Sequence, residues 1–228
     1  MKKNQIGGSE DLNRRMEHKV GGQMKGKWIG ILGGTFNPVH LGHLILAETA
    51  RIQFKLDQIL FMPNYIPPHR STGDEILAPS EDRYNMLLLA AISNLNFEVS
   101  SLELDKEELS YTFYTVEELT KLNPKNRYFF ICGADALLQH HWHRFSELAE
   151  KLEGFLLAPR QGEGIEKVKE KMINRGFLAV RKIKKIDMIP IGISSTLIRT
   201  RIRERQPIRY LVPELVETYI YRKKLYLR

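Results

Sequence analysis

The run "GILGGTFNPVHLGH", Gly30 to His43, follows apolar residues with two adjacent glycines, a threonine, an Asn-Pro step and two histidines three apart. It reads as a strand ending near Leu32, a loop from Gly33 to His40 and a helix starting near Leu41. Gly33 and Gly34 let the backbone bend sharply and leave no Cβ between its amides and a ligand. A helix start at Leu41 adds unpaired N–H groups and partial positive charge, a setting suited to an anion. His40 and His43 then share one side of the first turn, and Gly42 keeps that side open. This is not a Walker loop, since no Gly-Lys-Ser/Thr follows, and the glycines do not fit G-x-G-x-x-G. Metal ligation by the two histidines lacks a third or fourth local ligand. A structural alternative has one histidine capping the helix and the other packed. The reading that uses every residue has the imidazoles hydrogen-bonding phosphate oxygens and stabilising charge in phosphoryl or nucleotidyl transfer.

Outward from that loop, apolar β-rich runs recur at "KWIGIL", "QILFMP", "FEVSSLEL", "RYFFICG", "GFLLAP" and "KIDMIPI". Segments of helical character, such as "LILAETARIQF", "EDRYNMLLLAAISN" and "YTFYTVEELTKL", separate them. This alternation predicts an α/β fold, a Rossmann-like, doubly wound, mostly parallel sheet with helices on both faces. Ligands in such folds bind beyond the carboxyl ends of the strands, so the loops after each strand are where chemistry is expected. Residues 1–25 are polar and aperiodic; they read as a disordered extension, an upstream start or the remnant of an expression tag, leaving one domain over 26–228.

The 228 residues are 43% hydrophobic and 27% charged, enough for a full core. No apolar window long enough to span a membrane and no signal-peptide pattern is present, so a cytoplasmic protein without a membrane partner is expected. The single Cys132 excludes an internal disulfide and a cysteine-rich metal site, and reads as a buried strand thiol. The net charge of +8 suits nucleic acid, acidic lipid or phosphorylated small molecules without choosing among them. The basic stretches "IRTRIRERQPIR" and "YRKKLYLR" read as solvated helix faces or as an anion surface.

Several other stations bear on chemistry. In "IGISSTLIRTRI", Ser194, Ser195 and Thr196 start a helix and Arg199 follows one turn later. One hydroxyl suffices for a cap; three with a guanidinium suit a polyanion. "MPNYIPPHR" presents Asn64, His69 and Arg70 on a proline-stiffened loop, or is a bland surface loop. "SEDRYNML" offers Ser80 as N-cap with Glu81 and Asp82 in the first turn, and Arg83 in a local ion pair. Ser110 or Thr112 caps the helix of "ELSYTFYTVEEL". In "FFICGADALLQHHWHRF", Gly133 and Asp135 end a strand, with Asp135 either capping a helix or accepting from a ribose hydroxyl. Trp142, two turns on, offers a stacking face or belongs to the core. His140, His141 and His143 lack acidic or cysteine partners, so no metal site is assigned. Arg160 closes another strand.

"GGTFNPVHLGH" resembles the H-x-G-H signature of the nucleotidyltransferase α/β-phosphodiesterase superfamily, and within it the bacterial nicotinate mononucleotide adenylyltransferases. "ISSTLIR" resembles the same family's I-S-S-T-x-I-R motif, which holds the ATP triphosphate. The motif order covers the chain from Trp28 to the last helix. Asn37 departs from the family's frequent Asp, removing a negative charge near the substrates. The resemblance implies adenylyl transfer from ATP to nicotinate mononucleotide, with Mg²⁺ carried mainly by the ATP phosphates. It implies His40, His43 and Arg199 as catalytic residues, and Gly33, Gly34, Thr35, Phe36, His40, His43, Gly133, Asp135, Ser194, Ser195, Thr196 and Arg199 around ATP. Asn64, His69, Arg70, Tyr111, Thr112 and Trp142 fall to the mononucleotide. The rivals are an enzyme preferring nicotinamide mononucleotide or phosphopantetheine, the latter disfavoured by the "PPHR" and "SYT" insert, and a non-catalytic nucleotide- or RNA-binding protein. Nucleic acid is the weaker partner because no cluster of stacking aromatics accompanies the basic helix. The protein is either monomeric or a homo-oligomer.

Overall fold

The computed structural model describes residues 26–65, 77–106, 109–139, 142–158 and 164–227, with backbone alone at positions 135, 139 and 178. Along the chain run β1 (Trp28–Gly34), α1 (Leu41–Gln53), β2 (Gln58–Pro63), α2 (Ser80–Ala91), β3 (Phe97–Val99) and α3 (Thr112–Leu122). They are followed by β4 (Arg127–Gly133), α4 (Ala134–Gln139), α5 (Phe145–Lys151), β5 (Gly154–Ala158) and α6 (Ile165–Asn174). A 3₁₀ turn (Leu178–Lys182), β6 (Ile183–Lys185), α7 (Ser195–Arg203) and α8 (Glu214–Arg222) complete the described elements.

The strands form one six-stranded sheet in the order β3-β2-β1-β4-β5-β6, and every pairing is parallel. Strand order reverses its direction of growth between β1 and β4, so the loops leaving these two strands part there and open a crevice. The period-two alternation expected of strands buried on both faces is visible in β4. Phe129 and Ile131 join a core under α1, α2, α7 and α8, whereas Tyr128, Phe130 and Cys132 join one under α3, α4, α5 and α6. Cys132 is the buried strand thiol expected, its pKa pushed up to about 12 by desolvation.

Three boundaries differ from expectation. The glycine pair lies inside β1, because Gly33 and Gly34 still pair with Met62 and Pro63 of β2. Only Phe97–Val99 of "FEVSSLEL" is strand, and the chain turns at Leu102 to Lys106. The sixth strand lies upstream of "KIDMIPI" and shares only Lys185 with it. Its register, Ile183 opposite Phe155 and Lys185 opposite Leu157, is set by burying Ile183 and Ile186 on the two faces. Caps differ too: Pro79 and Tyr111, not Ser80 and Ser110 or Thr112, are the N-caps of α2 and α3, without side-chain capping bonds. Ser110 is engaged elsewhere, accepting the Tyr65 N–H through Oγ at 3.2 Å.

Candidate active site

The decisive loop is held from two sides. On the α7 side, Ser195 Oγ donates to the Pro38 carbonyl at 2.8 Å, and Arg199 Nη1 donates to the Asn37 carbonyl at 2.8 Å. Two motifs some 160 residues apart thus touch directly. The three hydroxyls divide their work. Ser194 caps α7 by accepting from Leu197 N–H at 3.1 Å, Ser195 bonds the loop, and Thr196 Oγ1 accepts from Arg199 Nη2 at 3.2 Å. Arg199 is 6% exposed, packed beside Ile198 and Ile202, so α7 is not simply a solvated face.

On the α2 side stands a residue that sequence reasoning gave no role beyond a local ion pair. Arg83 is fully buried, and its guanidinium donates to the carbonyls of Thr35 (2.9 Å), Asn64 (2.7 Å), Tyr65 (3.0 Å) and Ala78 (3.2 Å). A signal was available: Arg83, Met86, Leu87, Ala90 and Ala91 share the buried helical face of α2. A charge on an apolar stripe needs buried partners. Asn37 is likewise structural, 4% exposed with Oδ1 accepting the Ala78 N–H at 3.0 Å. An amide carbonyl can accept that bond as a carboxylate can, so the frame accommodates Asn at this position.

Between the two anchors lie the histidines. His40 is the N-cap of α1 and His43 its third residue; their rings stack at 3.7 Å between centroids, 21° apart. His43 Nδ1 accepts the backbone N–H of His40 at 3.2 Å. A backbone amide can only donate, so the His43 proton sits on Nε2, which is left as a donor. Phe36 supports the ring edge-on at 5.0 Å and rests in turn on Phe61. Desolvation lowers His40 to about 4, and desolvation with the neighbouring His40 holds His43 well below the usual imidazole range. Both rings are therefore neutral at pH 7. Gly42 leaves room for the pair: a Cβ there would crowd the His40 ring, lying 3.0 Å from its Nδ1.

The helix start is less open than expected, because the first amide of α1, Leu41 N–H, donates to the Leu211 carbonyl at 3.0 Å. The chain between α7 and α8 crosses there and takes that donor.

Asn64 and Thr35 also meet: Asn64 N–H donates to the Gly34 carbonyl at 3.1 Å and Asn64 Nδ2 to Thr35 Oγ1 at 3.4 Å. Asn64 Oδ1 is buried and has no partner among the described residues. Tyr65's bond to Ser110 brings the "SYT" segment, with Tyr111 and Thr112, against the same corner. Glu103 fastens that segment, taking a 2.6 Å bond from Thr115, and burial raises its carboxyl pKa. Trp142 is partly buried, its indole N–H on the Leu137 carbonyl at 3.2 Å and its ring edge-on to Phe130, Phe145 and Phe155. It thus sits at the margin of the core. His143 joins Tyr111 and Tyr114, with 3.2 Å between its Nε2 and the Tyr114 hydroxyl. Gly133 ends β4 beside the crevice, and only the backbone of Asp135, second in α4, is described. His69, Arg70, His140, His141 and Arg160 lie outside the described residues. Among the described residues no three His, Cys, Asp or Glu side chains cluster as metal ligands, and no helix is long and apolar enough to cross a membrane.

A parallel sheet with glycines, stacked neutral imidazoles and a clasped helix start at its switch point defines a nucleotide-binding α/β protein. The family model for cytidylyltransferase-like proteins matches residues 31–201, and the chain belongs to that family. It is 44% identical over 208 residues to a probable nicotinate-nucleotide adenylyltransferase of Carboxydothermus hydrogenoformans, covering 89% of this chain and 100% of the relative. A probable nicotinate-nucleotide adenylyltransferase of Thermoanaerobacter sp. is 40% identical, over 87% of this chain and 93% of its own. The fold matches Plasmodium falciparum nicotinic acid mononucleotide adenylyltransferase complexed with NaAD, at a TM-score of 0.70 and 20% identity, covering 88% and 97% of the two chains.

Proposed function

We propose that this protein transfers the adenylyl group of ATP to nicotinate mononucleotide, giving nicotinate adenine dinucleotide and pyrophosphate, a step of NAD biosynthesis carried out in the cytoplasm. The observation that carries the reading is the clasp of the first loop by α7, which sets the stacked histidines beside the Ser194–Thr196 helix start. Relatives named for this activity, matched over nearly their whole length, support it.

The attacking group is the mononucleotide phosphate, already anionic at pH 7, so no base is needed. The protein's task is alignment and charge stabilisation. His43, neutral and with its Nε2 proton fixed by the His40 amide, donates to an α-phosphate oxygen as charge builds there. His40 holds that geometry from beneath and contributes the same kind of contact. The start of α7, with Ser195, Thr196 and Arg199, takes the pyrophosphate end. Arg199 does so largely by holding the loop, since its guanidinium is engaged by Asn37 and Thr196. Gly33, Gly34, Thr35, Phe36, Gly133 and Asp135 surround the nucleotide. Glycine at 133 is not demanded by packing, because a Cβ there would meet no described atom within 4 Å. Asn64, Tyr111, Thr112 and Trp142 take the mononucleotide, a role that the sequence resemblance also gives to His69 and Arg70. Mg²⁺ enters as part of the substrate, on the ATP phosphates.

The test is pyrophosphate release with ATP and Mg²⁺, comparing nicotinate mononucleotide, nicotinamide mononucleotide and phosphopantetheine at equal concentration. Preference for nicotinate mononucleotide is the expected result. Release with none of them from folded protein would overturn the reading.

A further inference from the structure

Arg83 occupies a place that the proposed reaction does not use directly. It is fully buried, and its guanidinium donates to four backbone carbonyls that belong to three separate segments. Thr35 lies in the loop that carries His40 and His43. Asn64 and Tyr65 open the connection after β2, and Ala78 closes it just before α2. The same segments are stitched by weaker bonds: Asn64 N–H to Gly34, Asn64 Nδ2 to Thr35, and Ala78 N–H to Asn37 Oδ1. Backbone carbonyls in loops have no ladder partner, and leaving them buried without donors is unfavourable. One planar guanidinium, with five N–H groups in a fixed fork, satisfies four of them at once and fixes their spacing.

We infer that Arg83 is a positioning residue that sets the distance between the ATP loop and the mononucleotide loop, so that in-line attack depends on its fork geometry rather than on its charge. The inference takes the two loops' roles from the reading above. The charge and the bulk are retained by lysine, but a single ammonium cannot span carbonyls in three segments. Misplacement of reacting groups by about an ångström costs on the order of 100-fold in rate.

Arg83→Lys is therefore compared with Val168→Ala, a cavity variant in the core on the opposite face of the sheet. Arg83→Lys is expected to lower kcat by about 10- to 100-fold and to raise KM for both substrates. Val168→Ala is expected to reduce Tm with kcat unchanged. In Arg83→Ala, added guanidinium at a concentration that leaves the wild type folded is expected to recover part of kcat. Should Arg83→Ala fail to fold, Arg83→Lys alone decides. Amide hydrogen exchange supplies a readout that needs no substrate: Asn64 and Ala78 N–H should exchange faster in Arg83→Lys, with Ile31 and Phe61 unchanged. Full kcat and unaltered KM values in folded Arg83→Lys, or unchanged exchange at Asn64 and Ala78, would overturn the inference. Absence of pyrophosphate release from the wild type would instead overturn the adenylyl-transfer reading and leave the exchange result to decide the role of Arg83.

Discussion

Two buried arginines hold the same loop from opposite sides, yet they differ in what they hold. Arg199, on α7, donates to one loop carbonyl and to a hydroxyl of its own helix. Arg83, on α2, spends its bonds on four carbonyls from three segments. The first joins the loop to a helix start suited to phosphate; the second joins one loop to another. Burial and a shared charge therefore do not imply equal function, because a guanidinium acts through the atoms its fork reaches.

In the proposed reaction both arginines serve as frame and the histidines are the groups that act. Removing the acting group should therefore have the largest effect. His43→Ala is expected to reduce turnover by roughly 100- to 1,000-fold, the scale of losing one donor to developing charge, with the fold retained at a lowered Tm. An unaltered rate would mean that the frame alone is the catalyst.

Arg199→Ala comes next, with an expected loss of about 3 kcal/mol in denaturant unfolding, since it orphans a buried carbonyl and opens a cavity. KM for ATP should rise more than KM for the mononucleotide. A rise confined to the mononucleotide would detach α7 from the triphosphate.

The histidines also predict how stability depends on pH. His40 titrates near 4 in the folded protein and near 6.5 when unfolded, so between these values the unfolded chain binds a proton that the fold refuses. Stability is therefore complete above pH 6.5 and declines as pH falls toward 4. From pH 7 to pH 5 the loss from His40 is about 2 kcal/mol, and His43 acts in the same direction. His40→Asn should flatten this slope in urea titrations at the two pH values; an unchanged slope would reassign it to other groups.

The smallest effect belongs to Asn37→Asp. The carboxylate can still accept the Ala78 N–H, and the neighbouring carbonyl is already held by Arg199. A shift within about 1 kcal/mol and near-normal kcat are expected. A large change would show that the charge at this position matters to the substrates and not only to the frame.

Much of this site was legible in the chain. The order of apolar runs and amphipathic segments gave the parallel sheet, because strands buried on two faces and helices buried on one leave different periodicities. "HLGH" and "ISSTLIR" each have residue types suited to phosphate, and the family resemblance, with both motifs in the expected order, paired them before any coordinates. The end of β1, the position of β6 and the caps of α2 and α3 were not legible. Each depends on which neighbour supplies the hydrogen bond: β2 for Gly33 and Gly34, β5 for Lys185, and Tyr65 for the hydroxyl of Ser110.

By itself, the sequence determined the fold class, the carboxyl-edge location of the site and the two motifs that meet there. Periodicity carries the fold class and the carboxyl-edge location, and the motifs' resemblance to a known family carries their pairing. Only the tertiary structure decided that His40 and His43 are stacked and neutral, that Leu41 gives its amide to Leu211, and that Arg83 ties the loop after β1 to both ends of the connection after β2. Those outcomes depend on desolvation and on carbonyls brought close from distant parts of the chain, and neither is a property of neighbouring residues.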